Sequence, residues 1–286
     1  MKMRSWLVLL ALSCAGGLVQ GCEAGPNHEP ARAGASAEPT TNDRESRLLA
    51  AALAVVDEPL RPEEDRARDV DRKPGEVLGF FGIDKGMRVV DLQAATGYYT
   101  ELLSALVGPD GEVIAQNNDF VVKRFADGPL NERIARIAAA GRKNITRLNA
   151  ELDEMELPQG LDAAIFVRFY HDLFWLPTPD GDLTDRAEFL RRVYDNLAPG
   201  GIFGVIDHHA EADSGDRDAV YPREGLHRIG AELVMAEILA AGFVLDIESD
   251  LLSNPDDTRD WNIFADDAKN RDKTDRFVWR FVKPLN

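Results

Sequence analysis

Two short stretches of this 286-residue chain place histidine beside aspartate, His171-Asp172 and Asp207-His208-His209. Each follows an apolar run typical of a buried strand, AAIFV before the first stretch and IFGVI before the second. An imidazole whose pKa lies near neutrality can take a proton from an oxygen or nitrogen nucleophile, and a carboxylate can orient the ring. We therefore predict that His171 or His208 is a general base, with Asp172 or Asp207 orienting it.

Metal binding is an alternative use of the same histidines. His227 lies on the connection that leaves the fifth predicted strand, so four histidines share the carboxyl edge of the predicted sheet, where ligands bind. Three imidazoles and a carboxylate could hold zinc or iron. Adjacent residues such as His208 and His209 rarely both turn inward at a strand end, and the sequence contains no HExxH helix. We predict no metal ligands and keep a histidine-based metal-dependent enzyme as an alternative function.

A third chemical feature is the turn in VVDLQAATGYY, residues 89–99. The apolar strand ends on an acid, Asp91, and Gly97 stands where the next helix begins and offers free N–H groups to a ligand. Glycines in such a turn let the backbone approach a ligand closely, but Gln93 and Ala95 occupy two of the positions. Since Ala adopts a positive φ only at a cost, the turn predicts a ligand site of reduced affinity.

Strands that alternate with helices must position these residues. Short apolar segments predict strands over residues 88–92, 112–115, 145–148, 163–167, 202–206, 244–248 and 276–282. Helices are predicted over residues 47–56, 99–106, 120–140 with a break near Gly128-Pro129, 185–197 and 231–241. The alternation favours parallel pairing, whereas the last two strands lack a helix between them and should pair antiparallel. We predict an α/β fold with a mostly parallel seven-stranded sheet.

This order of elements resembles the class I S-adenosylmethionine-dependent methyltransferase fold, a three-layer Rossmann-like fold whose last strand is antiparallel. Three motifs, RKPxEVLxFFG from residue 72, GYYTELL from residue 97 and LHRI from residue 226, resemble a bacterial family of exported predicted methyltransferases. The resemblance implies S-adenosylmethionine as the cofactor and methyl transfer to a small molecule as the reaction. It covers nearly all of the predicted domain.

The resemblance also implies contacts to the cofactor, at Asp91, Gln93, Ala95, Gly97, Gln116, Asn117 and Asn149. Asp91 would lie beside the amino group of the methionine part. Gln116 and Asn117 stand where an acid usually holds the ribose hydroxyls, and amides hydrogen-bond hydroxyls more weakly than a carboxylate does. Asn149 would meet the adenine amine, while Gln93 either points away or donates its amide to the ligand.

The charge of the chain narrows the range of partners. A formal net charge of −17 argues against nucleic acid, because basic residues supply most of the affinity for a phosphate backbone. Arg68 and Arg72 are a local exception and lie on one face at helical spacing, so they could clamp an anionic substrate group. Their alternative role is pairing with the interleaved acids Asp65, Asp69 and Asp71.

The N-terminal segment predicts export. Residues 1–21 combine basic residues with a short apolar run, and they end in LVQG before Cys22, which resembles a bacterial lipoprotein signal with Cys22 as the lipidated residue. Residues 22–45 contain almost no large apolar side chains, so we predict a flexible tether before a domain over residues 46–286. We expect membrane contact through the lipid alone, at the periplasmic face of the outer membrane. An ordinary cleaved secretory signal is the alternative.

Three functions remain possible from the sequence. The first is an exported, lipid-anchored S-adenosylmethionine-dependent methyltransferase, and the second is a non-catalytic ligand-binding lipoprotein on a degenerate methyltransferase fold. The third is the histidine-based metal-dependent enzyme. A shared fold does not separate them, because function depends on the residues of the site.

Overall fold

Seven strands form one sheet in the computed structural model, which describes residues 41–175, 183–219, 225–264 and 272–285. The strands are β1 (Arg88–Leu92), β2 (Glu112–Asn117), β3 (Ile145–Asn149), β4 (Leu161–Val167), β5 (Leu197–His208), β6 (Val244–Ser249) and β7 (Arg276–Val282). Their order in the sheet is β3-β2-β1-β4-β5-β7-β6. Pairs within β3-β2-β1-β4-β5 are parallel, and β7 runs antiparallel to both of its neighbours. The predicted sheet and its antiparallel last strand are confirmed.

Helices lie before and between the strands. They are α1 (Thr41–Val56), α2 (Glu63–Arg66), α3 (Asp69–Arg72), α4 (Pro74–Phe81), α5 (Tyr98–Val107), α6 (Asp119–Val121), α7 (Asp127–Ala139), α8 (Arg186–Asn196) and α9 (Ala231–Ala240). A π-helical turn over Val122–Ala126 joins α6 to α7, and a 3-10 turn over His171–Phe174 follows β4.

Two apolar cores cover the two faces of the sheet. Successive residues of a strand point to opposite faces, so Val89 packs with α1, α4 and α5, whereas Val90 packs with α8 and α9. This arrangement makes three layers, as predicted. Because both faces are covered, ligands can reach the sheet at its edges, and the carboxyl ends of β1, β4 and β5 lie side by side there.

Two details differ from the prediction. The helix predicted over residues 120–140 does not break at Gly128-Pro129, because α6, the π-helical turn and α7 follow one another without a gap and both residues lie within α7. The irregularity is the π-helical turn Val122–Ala126 instead. Helix α1 begins at Thr41, inside the segment predicted as tether.

By its internal contacts the chain divides into residues 1–38 and residues 39–286. Everything described here belongs to the second unit. The predicted signal peptide and Cys22 lie outside the described residues. Of the helices in the described segments, none has both the length and the apolar character needed to cross a membrane.

Candidate active site

One large cavity, called here the edge cavity, opens at the carboxyl edge of the parallel strands. It has a volume of about 940 Å³, and the turns after β1, β2 and β4 line it together with residues from the end of β5 and from the loop before α9. Drug-sized ligands occupy cavities of ~300–1,000 Å³. The edge cavity therefore has room for a cofactor-sized molecule and a small acceptor.

The turn that follows β1, called here the β1 turn, has at two positions a backbone conformation that glycine usually supplies, although neither residue is glycine. Gln93 has φ +49° and Ala95 has φ +51°, and both line the edge cavity. A left-handed conformation costs an L-residue about 1–2 kcal/mol, so surrounding contacts must hold the turn in place.

Amides at the end of β2 supply those contacts. Gln116 Oε1 accepts from the backbone N–H of Gln93 at 3.0 Å, and Asn117 Oδ1 accepts from the N–H of Ala95 at 2.8 Å. Gln116 also donates to the carbonyl of Ala150 at 2.8 Å. Both amides are fully buried and neither lines the edge cavity. Their assignment as ribose contacts stays a prediction, and the geometry gives them the role of positioning the turn.

Gly97 is required for packing against α7. Its φ is +87°, and a Cβ added there would lie 2.7 Å from Leu130 Cδ1 and 2.9 Å from Arg133 Cδ, both on α7. Gly97 does not line the edge cavity, and neither does Asn149, an exposed residue that accepts a hydrogen bond from Arg147. Neither residue faces the edge cavity, so the cofactor contacts predicted for them stay predictions.

Asp91 is a buried carboxyl that lines the edge cavity. Burial raises the pKa of Asp91 from its ordinary value of 3.8 to about 7, although Thr100 Oγ1 donates a hydrogen bond to it at 2.6 Å. A cation bound beside this carboxyl would stabilise its charged form, so Asp91 is suited to a ligand ammonium group.

His171 and Asp207 are the pair, among the predicted base and orienting residues, that the structure brings into direct contact. His171 Nδ1 donates to Asp207 Oδ1 at 2.7 Å, and the same carboxylate accepts the backbone N–H groups of His171 and His208. Burial lowers the pKa of His171, but the carboxylates of Asp172 and Asp207 outweigh it, and the pKa is raised. His171 Nε2 is buried without a hydrogen-bond partner among the described residues, and the ring lines the edge cavity.

His208 is not arranged as a base. Arg168 Nε donates to His208 Nε2 at 3.1 Å, so Nδ1 carries the hydrogen and donates to Thr274 Oγ1 at 2.6 Å. Burial, followed by the charge of Arg168, holds the pKa of His208 well below its usual value. With both nitrogens engaged, His208 is a neutral positioning group, which leaves His171 as the predicted base that the geometry supports.

Asp172 bonds to His227, a histidine that the prediction did not include among the candidate bases. Asp172 Oδ1 bonds His227 Nδ1 at 3.1 Å, and Asp207 rather than Asp172 orients His171. The sequence left the role of His227 open, yet this residue lines the edge cavity and its ring lies 5.5 Å from that of His171. His209 lies outside the lining and packs edge-on against Phe277.

Positive charge gathers on one wall of the edge cavity. Arg68, Arg72 and Arg168 all line it, and all three bond to the single carboxylate of Asp272. Burial and the charge of Arg72 lower the pKa of Arg168 to about 9. The Asp272 carboxylate thus holds three guanidinium groups together at this wall. The alternative role, pairing of Arg68 and Arg72 with Asp65, Asp69 and Asp71, is not what holds them, because both bond to Asp272.

Aromatic side chains line another part of the edge cavity. Phe120 and Trp175 meet edge to face at 5.0 Å, and Phe264 meets the His227 ring at 4.8 Å. Phe264 remains 51% exposed. These rings suit an apolar or planar ligand.

Comparison with known proteins gives partial matches in sequence. No protein-family model matches the chain. A 127-residue segment is 30% identical to the ubiquinone/menaquinone biosynthesis C-methyltransferase UbiE of Pasteurella multocida (strain Pm70), covering 44% of this chain and 41% of that protein. The protein of the same name from Proteus mirabilis (strain HI4320) is 32% identical over 127 residues, 44% of each chain. The chain thus matches less than half the length of these curated relatives.

Comparison with solved structures covers most of the described fold. A SAM dependent methyltransferase from Aquifex aeolicus matches with a TM-score of 0.52 and 19% identity, over 81% of this chain and 97% of that one. The [4+2]-cyclase SpnF matches with a TM-score of 0.53 and 15% identity, over 87% and 98%. The chain therefore has the Rossmann-like methyltransferase fold. Since one of these structures is named a methyltransferase and the other a cyclase, the reaction must be argued from the residues of the site.

Proposed function

We propose that this chain is an S-adenosylmethionine-dependent methyltransferase that acts on a small molecule. The observation that carries the proposal is that one cavity joins the β1 turn and Asp91 to the His171–Asp207 pair. The names of the relatives that share 30–32% identity with part of the chain support the same reaction. An acidic chain with one apolar, partly cationic cavity suits a small molecule better than a nucleic acid.

The residues of the β1 side fit the cofactor. Asp91 would bind the ammonium of the methionine part, because a buried carboxyl with a raised pKa gains most from a cationic partner. Gln93 and Ala95 hold the backbone in the conformation that glycine usually supplies in such turns. Phe120 and Leu152 line the cavity where an adenine could pack. When bound, S-adenosylmethionine supplies a methyl group on a sulfonium, which a nucleophile takes by in-line displacement to leave a neutral thioether.

The chain's own contribution to the acceptor is the His171 imidazole. Its Nδ1–H donates a hydrogen bond to Asp207, so the lone pair of Nε2 is available to take a proton from an acceptor O–H or N–H group. The Asp207 carboxylate would stabilise the positive charge that develops on the ring. Holding the acceptor beside the donor would supply most of the acceleration, since proximity and alignment can be worth about 7–11 kcal/mol.

The aromatic wall and the arginine wall of the edge cavity indicate which ligand groups the protein would bind. The aromatic rings of Phe120 and Trp175 suit a planar acceptor, in line with relatives named for ubiquinone and menaquinone biosynthesis. Arg68 and Arg72 would bind an anionic group, either the carboxylate of the cofactor or one on the acceptor. The Arg72→Gln variant distinguishes these two possibilities. If the cofactor carboxylate is the ligand, the variant should bind S-adenosylhomocysteine more weakly and 5′-methylthioadenosine as tightly as wild type.

A non-catalytic ligand-binding protein is the second candidate. It is favoured by Gln116 and Asn117, whose buried amides bond within the protein instead of facing the cavity where the ribose hydroxyls would lie. Binding with no methyl transfer to any acceptor would support this candidate over the first.

Calorimetric titration of the purified full chain with S-adenosylmethionine and S-adenosylhomocysteine tests the proposal. We expect one site per chain with a Kd below about 1 mM, the upper end of typical substrate constants. Asp91→Asn should weaken binding, whereas Asp110→Asn, at an exposed position before β2, should leave the binding unchanged. Absence of heat at millimolar ligand would exclude the cofactor and with it the proposed reaction.

The proposal includes export and a lipid anchor. The apolar run and the LVQG sequence before Cys22 support attachment of lipid to this cysteine, which would hold the chain at the periplasmic face of the outer membrane. Incorporation of labelled palmitate into the full chain, followed by membrane fractionation, tests this. Cys22→Ala should lose both the label and the membrane fraction, and an unlabelled wild-type chain in the soluble fraction would contradict the anchor.

A further inference from the structure

His171, Asp172 and His227 form a compact group at the acceptor side of the edge cavity, called here the His-Asp-His cluster. A ring nitrogen of each histidine and a carboxylate oxygen of Asp172 all lie within 4.8 Å of one another. All three residues line the cavity. Two imidazoles and one carboxylate are a ligand set that binds divalent zinc or iron and leaves further coordination positions open.

Two of the three separations within the cluster match those between ligands of one metal ion. Asp172 Oδ1 lies 3.4 Å from His171 Nε2 and 3.1 Å from His227 Nδ1. Two ligand atoms that are each about 2.1 Å from a metal lie about 3.0 Å apart at a right angle and about 3.4 Å apart at a tetrahedral angle. Asp172 therefore lies at ligand–ligand distance from both histidines, and all three ligand atoms lie within 4.8 Å of one another.

The Nε2 atom of His171 is a second, independent observation that points to a ligand. The side chain is 1% exposed, and Nε2 has no hydrogen-bond partner among the described residues, even though Asp172 is near. Leaving a buried polar atom unpaired is costly, and binding an ion at Nε2 would remove that cost. On the other side of the ring, Nδ1 donates to Asp207. A carboxylate in that position fixes the tautomer of a metal-binding histidine and raises the basicity of its other nitrogen.

The backbone holds His227 at this position against a conformational cost. His227 has φ +54°, which is uncommon for a residue other than glycine and persists only where neighbouring contacts enforce it. The next residue, Arg228, is fully buried in an ion pair with Asp257, and Ile229 N–H donates to the carbonyl of His208 at 3.0 Å. These contacts dock the loop against the end of β5 and turn His227 to the cavity.

We propose that the His-Asp-His cluster binds one divalent transition-metal ion, such as zinc or iron(II), whose open positions face the edge cavity. With the ion bound, His171 Nε2 is a ligand and no longer a base, so the ion takes over activation of the acceptor: it coordinates a hydroxyl of the acceptor and lowers the pKa of that hydroxyl. The hydroxyl proton passes to water, and the oxygen lone pair forms the bond to the methyl carbon while the methyl–sulfur bond breaks and its electron pair stays on sulfur, leaving the neutral thioether. The role of the ion in this step rests on the proposed function, whereas the metal site itself does not. The acceptor class that follows is a hydroxylated, planar compound.

Metal titration of the full chain tests the site. The protein is purified with a histidine-free affinity tag, stripped with a chelator, and titrated with Co²⁺ and Zn²⁺, with the visible absorption of Co²⁺ as the readout. We expect one ion per chain. His227→Gln and Asp172→Asn should each weaken binding by at least tenfold, since even loss of an outer partner costs about 10–100-fold. The matched control, His209→Gln, should bind as tightly as wild type because His209 lies outside the cavity lining.

Titration with S-adenosylhomocysteine in parallel separates the two proposals and reports folding of the variants. Cofactor binding without saturable metal binding, or equal metal binding by wild type and His227→Gln, would overturn the metal site and leave the proposed function. Metal binding at the cluster without cofactor binding would support the site and overturn the proposed function. A normal affinity for S-adenosylhomocysteine in Asp172→Asn excludes misfolding as the reason for lost metal.

Discussion

Replacing Asp91 by Asn should make the protein more stable at alkaline pH and a weaker binder of the cofactor. The carboxyl is buried at the end of β1, and burial raises its pKa from 3.8 to about 7. Above pH 7 the folded protein must therefore hold a buried charge that the unfolded chain exposes to water. Asn has nearly the same shape, can still accept from Thr100, and carries no charge.

The sign and size of the effect follow from the direction of the pKa shift. Between pH 3.8 and about 7 the folded state keeps a proton on Asp91 that the unfolded state has lost, so this group's contribution to stability falls as the pH rises. The rise of the pKa from 3.8 to about 7 corresponds to a destabilisation of the folded state by at most about 4 kcal/mol. This destabilisation reaches its full size above pH 7. Asp91→Asn should recover part of that free energy at pH 8 and almost none at pH 4.

Urea unfolding of wild type and Asp91→Asn at the two pH values measures this difference. We expect a higher unfolding midpoint for the variant at pH 8, a much smaller difference at pH 4, and weaker binding of S-adenosylhomocysteine. A variant that is less stable than wild type at pH 8, or a difference that does not depend on pH, would refute the reasoning about this carboxyl.

Three further predictions concern the β1 turn, the catalytic pair and the docked loop. Ala95→Gly removes a strained positive φ and should raise the unfolding free energy by about 1 kcal/mol in urea titrations; a loss would mean that the Ala95 conformation is unstrained. Asp207→Asn should lower methyl transfer by at least about 100-fold at unchanged S-adenosylhomocysteine affinity, and an unaffected kcat would remove Asp207 from the mechanism. Asp257→Asn leaves Arg228 buried without its partner and should cost about 3–5 kcal/mol by chemical denaturation, whereas a cost below about 1 kcal/mol would contradict the role given to this pair.

The sheet could be predicted from the sequence because its signals are local. Apolar runs such as IFGVI mark buried strands, and the missing helix between β6 and β7 indicates their antiparallel pairing. The position of the helical irregularity before α7 could not be predicted in this way. Gly128-Pro129 is a strong signal for interruption, but it is equally compatible with a first helical turn, and only the π-helical turn before it decides the outcome.

The location of the site could be predicted from the sequence, but the hydrogen-bond partners of its histidines could not. His171 and His208 both follow strand signals, and the sequence gives no reason to prefer one as the base. The difference comes from residues distant in sequence, since Arg168 and Thr274 occupy both nitrogens of His208. His227 is brought to the cavity by a loop docked on the end of β5, a tertiary contact without a periodic signal.

The same limit applies to Gln116 and Asn117. Their position at the end of β2 is readable from the sequence, because the apolar run of this strand stops there. Whether an amide at a strand end faces the ligand or the neighbouring turn depends on side-chain direction, which the sequence does not encode locally. In the folded protein both amides hold the β1 turn.

The structure of the full chain with S-adenosylhomocysteine bound tests the central claim most directly. We predict the ligand in the edge cavity, with its ammonium within hydrogen-bond distance of Asp91 and its sulfur turned to the side that His171 lines. A ligand bound outside the edge cavity, or in it with the ammonium away from Asp91, would contradict the proposed site.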